Sequence, residues 1–324
     1  MRRARLRIPE DRPVGYYHCI SRVVDRRFIF ADHEKEHFVR LLREYERFCR
    51  VRVLTFCIMS NHFHLLVRIP APSHLPDSVI LQRAEAFYGK NGTLPALAKA
   101  DLQRMGSISP IIRDSLAGRM GDVSAFMKEL KQRFSRWFNR HTGRFGTLWA
   151  ERFSSTLVEE TTASLHTVAS YIDLNPVRAG LVSDPKDYRF CGYSAALTGN
   201  PVVRRGLMSF LPCNSWSAAA AEYRLNLFAT AGVAGHSDKT ALSNEVIKAE
   251  LARGGRLSLP EILRLRVRHL SAGVAIGSRE FVNHVFKNHR SHFGPKRVDG
   301  ARPIRGIPLP HLKVLRDLRV NAIG

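Results

Sequence analysis

The sequence predicts an α+β fold, an antiparallel sheet laid down in the order β-α-β-β-α-β. Three observations predict it. Two runs rich in aromatic and β-branched residues, Tyr16–Val23 and Val51–Met59, flank an amphipathic helix. The second run is separated from a third, His62–Ile69, only by Ser60 and Asn61, a break of hairpin length. A further amphipathic helix, from Asp122 to Asn139, and a further strand-like run, Arg152–Val158, complete the order.

The elements follow in chain order. Residues 1–13 form a basic arm with Arg2, Arg3, Arg5, Arg7 and Arg12. Tyr16–Val23 reads as the first strand. Asp32 can cap a helix reaching about Arg47, with Phe38, Leu41, Leu42, Tyr45 and Phe48 at helical spacing. Val51–Met59 is apolar on both faces and reads as central. In the strand His62–Ile69, alternate side chains share a face. His62, His64, Leu66 and Arg68 therefore project one way, and Phe63, Leu65, Val67 and Ile69 the other, into a core. Residues 71–120, rich in Pro, Gly and Ala with short helical pieces such as Asp77–Tyr88, read as an insertion. In the helix from Asp122, Phe126, Leu130, Phe134, Trp137 and Phe138 line one side, and Lys131, Arg136 and Arg140 lie elsewhere. Gly143–Trp149 is a glycine-punctuated loop carrying Arg144, and Arg152–Val158 is the fourth strand. The order is that of a ferredoxin-like unit, with both helices on one face.

A helix over roughly Thr161–Asn175 follows, stopped by Pro176. Leu165, Val168, Ala169 and Ile172 make its apolar face. Tyr171 lies on the shoulder of that face, with Asn175 one turn on. Residues 201–235 are linker-like. Residues 236–324 read as a basic, mainly helical region with helices at Ser258–His269 and Ser278–Lys287, and with a DNA-binding role in view.

Composition narrows the partners. With 51 Lys and Arg against 28 Asp and Glu, the formal charge is +23, which points to a polyanion, nucleic acid first. No apolar run reaches bilayer-spanning length, and no signal-peptide core follows the N-terminus, so no membrane partner is expected. Cys19, Cys49, Cys57, Cys191 and Cys213 show no metal-binding or disulfide spacing. They read as packing residues in a reducing, cytoplasmic protein beside the nucleoid.

The His62–Phe63–His64 pattern gives either an exposed histidine pair or two metal ligands on a rigid platform. A basic chain with a nearby tyrosine hydroxyl fits the second: a metal can neutralise a scissile phosphate, and a tyrosine can attack it. The residues around these groups carry a resemblance. Tyr17–Arg22 (YHCISR), Met59–Val67 (MSNHFHLLV), Phe138–Arg140 with Gly146–Trp149, and Tyr171–Val182 (YIDLNPVRAGLV) occur in this order over residues 14–195. Together they resemble the HUH single-tyrosine transposases, in particular the REP-associated tyrosine transposases and their longer bacterial relatives. Family members often have Met-Pro-Asn where this chain has Met59-Ser60-Asn61.

The resemblance implies an HUH endonuclease core over residues 1–200. It implies a transposase that cleaves and rejoins single-stranded DNA near palindromic hairpins with Mg²⁺ or Mn²⁺, through a 5′-phosphotyrosine. By position, Tyr171 maps to the nucleophile and His62, His64 and Asn175 to metal ligands. His18, Arg22, Lys131, Arg136, Arg140 and Arg144 are candidate DNA contacts, although His18 equally suits a packed strand position. A monomer and a homodimer both remain open. The rival readings are a replication-initiator or relaxase-type nickase, a domesticated hairpin-binding protein without catalysis, and a basic RNA-binding protein.

Overall fold

Strand β1 (Val14–Arg22) is the centre of the core sheet. The computed structural model describes residues 6–9, 11–71, 74–232, 274–304 and 311–318. Helix α1 (Asp32–Phe48) follows β1, then β2 (Arg52–Ile58) and β3 (His62–Pro70) form the predicted hairpin, closed by Met59 N–H donating to the His62 carbonyl at 2.8 Å. After the insertion and α5 (Val123–Thr142), β4 (Ser154–Val158) returns on the other side of β1. The order β2-β3-β1-β4 is antiparallel throughout, so the predicted β-α-β-β-α-β core is present.

The insertion is itself helical: α2 (Asp77–Tyr88), α3 (Thr93–Met105) and α4 (Pro110–Ala117). Phe87 of α2 stacks on Phe48 of α1 with ring centroids 4.6 Å apart, which docks the insertion on the core.

Alternation along β3 sorts the two faces as expected. On one, Phe63 packs against Phe38 of α1 and, edge-on, against Trp149, while Phe134 of α5 meets Phe38. The sequence reading placed helices on this face alone and assigned the Thr161–Asn175 helix to neither face. The opposite face is covered as well, by α6 (Thr162–Asp173), α7 (Asn175–Arg178), α8 (Gly192–Leu197), α9 (Pro201–Met208) and α10 (Trp216–Gly232).

Residues 201–235, read as linker-like, thus carry two packed helices. The small residues that suggested a loop are what permit close packing. A Cβ on Gly206 would stand 2.7 Å from the Leu54 carbonyl oxygen, and one on Gly192 would overlap Thr55. Ala219, Tyr223 and Leu227 of α10 recur at a spacing of four and are fully buried.

The predicted helix at Ser278–Lys287 is present as α11 (Arg279–Asn288), with the Ser278 hydroxyl accepting from Phe281 N–H at its N-cap. Ser258–His269 lies outside the described residues. Around α11, three short strands that the sequence did not announce, β5 (Ala275–Gly277), β6 (Arg302–Pro303) and β7 (Lys313–Leu315), extend the sheet to β2-β3-β1-β4-β5-β7-β6. The β4–β5 pair is parallel. Strands of two or three residues carry no periodicity to read. Four of the five cysteines are buried and Cys213 is half-buried, all as thiols. Among the described residues no helix is long and apolar enough to cross a membrane.

Candidate active site

β1 and β3 lie side by side, with Arg22 opposite His62, Ile20 opposite His64 and His18 opposite Leu66. All six side chains belong to the face that α6 covers. The diagonal pair His18 and His64 are in contact: His18 Nε2 and His64 Nδ1 are 2.9 Å apart, with ring centroids at 5.2 Å. His62 lies edge-on to His64, centroids 5.1 Å apart, and its Nδ1 meets Asn61 Oδ1 at 2.7 Å.

These bonds bear on metal binding. Asn61 Oδ1 is an acceptor only, so His62 carries its proton on Nδ1, and its Nε2 lone pair is open. The Nδ1 atom of His64 is engaged with His18, and its Nε2 has no hydrogen-bond partner among the described residues. A hydrogen bond to one ring nitrogen fixes the tautomer and orientation in which the other nitrogen can ligate a metal. Burial, with the nearby Arg22 charge, pulls His62 down to about 4. Burial and the neighbouring His62, His18, Arg178 and Arg22 pull His64 well below the usual imidazole range. Both rings are therefore neutral near pH 7, the form that ligates.

Helix α6 brings Tyr171 over the pair. Its ring stands edge-on to His18 at 5.8 Å and to His64 at 5.9 Å. Arg178 lies over the Tyr171 ring, guanidinium carbon to centroid 3.9 Å, and also bonds the Tyr171 carbonyl. Its Nη1 is buried with no hydrogen-bond partner. A buried, unsatisfied guanidinium N–H is costly, so such a group over the tyrosine ring is a candidate anion donor. Arg178 stands inside the quoted Tyr171–Val182 motif, but the Pro176 break hid its return to the tyrosine.

Asn175 does not continue the tyrosine helix, which was expected to run that far. α6 ends at Asp173 and Asn175 opens α7, because Pro176 has no N–H with which to continue the α6 ladder and is tolerated in the first turn of a new helix. Its Nδ2 donates to the Tyr171 and Ile172 carbonyls, at 3.1 Å each, and so caps α6, which leaves the side-chain oxygen as its open donor atom. Among the described residues no group of three or more His, Cys, Asp and Glu side chains is placed to hold a metal. On the expected ligand residues, the atoms left without a hydrogen-bond partner among the described residues are the Nε2 atoms of the two imidazoles and the Asn175 side-chain oxygen.

Beneath the tyrosine, fully buried Asp173 accepts from Thr55 Oγ1 at 3.0 Å, Tyr223 Oη at 2.6 Å and Tyr193 N–H at 3.2 Å. The bonds tie α6 to β2, α10 and α8. Burial outweighs these donors and pushes Asp173 up to about 7.

The remaining candidates divide. His18 is 1% exposed and bonded to His64, so the structure corrects its reading as a DNA contact to that of a packed support. Arg22 is exposed beside His62. Lys131 is buried, donates to the Glu151 carbonyl at 2.9 Å and lies over the Trp149 ring, so its ammonium is also committed inside the fold. Arg136 is exposed, beside an open hollow of about 640 Å³ floored by Trp149 and Phe153. Arg140 is exposed on the same helix. Arg144 bonds the Thr147 carbonyl at 2.8 Å and braces the 146–149 loop. That loop runs beside the end of β1, where Val24 N–H donates to Leu148 and Ala150 N–H to Arg22. Phe28 and Phe145, 82% and 92% exposed, were not singled out in the sequence. Phe145 immediately precedes this loop, and Phe28 adjoins Ile29 and Phe30, whose N–H groups bond Ser60 at the hairpin turn.

The family model described as "Transposase IS200 like" matches residues 13–83, the segment that carries the first-strand motif and the paired histidines. That model belongs to the transposase class that the motifs resemble, and it covers about a fifth of the chain. The matched segment ends before Tyr171. One solved structure similar to this chain is titled "Structure of the REP associates tyrosine transposase bound to a REP hairpin". It is 15% identical, with a TM-score of 0.37 over 58% of this chain and 83% of that one. No curated protein matches the chain.

Proposed function

We propose that the protein is a metal-dependent strand transferase acting on single-stranded DNA beside hairpins, with Tyr171 as nucleophile and His62, His64 and Asn175 as metal ligands. The observation that carries this reading is the convergence of Tyr171 with His64, rings 5.9 Å apart, from elements more than a hundred residues apart in sequence. A bound Mg²⁺ or Mn²⁺ would neutralise charge on the scissile phosphate.

The chain's own residues supply the rest. Asn61 and His18 fix the rings of His62 and His64, with His18 accepting the Nδ1 proton of His64. Arg178 directs an unpartnered N–H toward an incoming phosphate. The Tyr171 oxygen forms the new bond to phosphorus as the P–O3′ bond breaks. The proton lost from the phenol is balanced by one gained at the departing 3′-oxygen. The 5′-phosphotyrosine conserves the bond, and the reverse attack by a 3′-hydroxyl rejoins the strand. Exposed Phe28 and Phe145 near the hairpin turn and the 146–149 loop are platforms on which unpaired bases can stack.

The test is a denaturing gel of the protein with end-labelled hairpin DNA and Mn²⁺. A covalent adduct is expected, mapped to Tyr171. Tyr171→Phe keeps the ring between Arg178 and the imidazoles, so folding should change by less than about 1 kcal/mol while the adduct disappears. An adduct that survives the substitution, or maps to another tyrosine, removes the assignment.

A further inference from the structure

The end of the sheet opposite His62 holds a second concentration of charge. It is an open basin of about 630 Å³ at the start of β2 and the end of β3, closed on its sides by α1, α2 and α9. At about 3.3 Å per residue, the six residues from His62 to Arg68 put it roughly 20 Å from the paired histidines. One carboxylate lines it, and that group is spent: Glu46 bonds Arg43 and accepts from Val53 N–H at 2.7 Å. Arg47, Arg52, Arg68, Arg83 and Arg205 all reach the basin and form no ion pair with a carboxylate among the described residues.

The arrangement works against the fold unless an anion joins it. Arg52 and Arg68 are directly opposite on adjacent strands, where like charges are destabilising. Arg83 bonds the Arg47 carbonyl, which holds one guanidinium at the other's helix. The contributing elements come from four parts of the chain, so one basic helix face does not explain the cluster. No aromatic ring lines the basin, so it offers no stacking platform for an unpaired base. Its volume exceeds that of a single phosphate, and its side is open. Guanidinium groups alone, without base-reading shape, suit a charged backbone whose bases stay paired.

We propose that this basin is a second DNA-binding surface that takes the phosphate backbone of duplex, independent of sequence, away from the tyrosine. It rests on the reading of the protein as one that acts on DNA. It adds a separate place for paired DNA to rest while an unpaired strand lies at the other end of the sheet.

The experiment measures affinity of the full chain, without metal, for a short blunt duplex and for a single strand of equal length, over a range of salt. Arg52 and Arg205 are exposed, so Arg52→Gln with Arg205→Gln leaves the core untouched, and thermal melting checks this. The expected result is a loss of about tenfold in duplex affinity at low salt and a slope against log salt shallower by about two. Single-strand affinity should fall much less. The Arg52→Lys/Arg205→Lys protein should keep most of the duplex affinity, because the contact is to charge.

Unchanged affinity and slope in the glutamine variant overturn the proposal, as does an equal loss for single strand and duplex, or a lysine variant as weak as the glutamine one. Inorganic tripolyphosphate that displaces duplex at equal phosphate concentration reassigns the basin to small polyanions. The two readings separate cleanly. If the wild-type protein forms the tyrosine adduct while the glutamine variant binds duplex normally, only the basin falls. If duplex binding is lost in the variant but no adduct ever forms, only the catalytic reading falls.

Discussion

At the scale of the residue, His18 is the most informative position. Its contact with His64 bears on how a buried imidazole could present a lone pair: for His64 to ligate through Nε2, its Nδ1 must carry the proton and His18 Nε2, 2.9 Å away, must accept it. His18→Phe keeps a ring against His64 and Tyr171 but removes the acceptor. Mn²⁺ affinity of the DNA-free protein, followed by calorimetry, should fall by about 10–100-fold, the usual cost of losing the partner that holds a ligating histidine in place. Unchanged metal affinity would show that His18 only fills space. Individual residues were unevenly legible in the sequence. The alternation of β3 placed His62 and His64 on one face from period alone, and helical spacing brought Tyr171 to the edge of an apolar stripe. The partners of these groups were not legible. Whether His18 touches His64 depends on strand register, and whether Arg178 reaches Tyr171 depends on how the chain turns at Pro176.

At the scale of the element, α6 matters most, because it carries the tyrosine and is anchored through Asp173. That carboxyl titrates near 7 in the fold against about 3.9 in an unfolded chain. A raised value means the fold binds the proton more tightly. The stabilisation is fully present below about pH 4 and is lost as pH climbs through about 7. Urea melts should therefore show the wild type losing on the order of a few kcal/mol between those limits, relative to an Asp173→Asn protein that keeps an acceptor for Tyr223 and lacks the titration. Parallel pH profiles for the two proteins would refute the buried-acid account. Helices with a strong apolar stripe, α1 and α5, were readable. α9 and α10 were not, because Gly206 packs against β2 and Ala219 is the one buried residue in a run of four alanines, which leaves little hydrophobic contrast and in sequence resembles a connection.

At the scale of the whole molecule, the core order of strands followed from length and pattern, since each core run is long enough to show a period of two. The C-terminal strands did not. β5 and β7 are three residues long, and the pairing of β5 with β4 on one side and β7 on the other is made of long-range contacts. The region is consequently more than a basic appendage. A chain ending at Gly232 would leave the outer edge of β4 without the partner that Ala275 and Ile276 provide. It should lose cooperative unfolding and associate through that edge, seen as broad melts and high-mass species on gel filtration. A monomeric truncation with a sharp melt would contradict this. The same pairing has a consequence for biosynthesis. β4 leaves the ribosome long before its partner strand Ala275–Gly277, and at ordinary elongation rates the delay is roughly 6–23 s. For that interval every nascent copy displays an unfinished sheet margin, and neighbouring chains on one messenger hold the same margin close together. Slow or stalled translation past β4 should therefore lower the yield of native protein more than an equal delay before β4, a cost set by the order in which the strands are made.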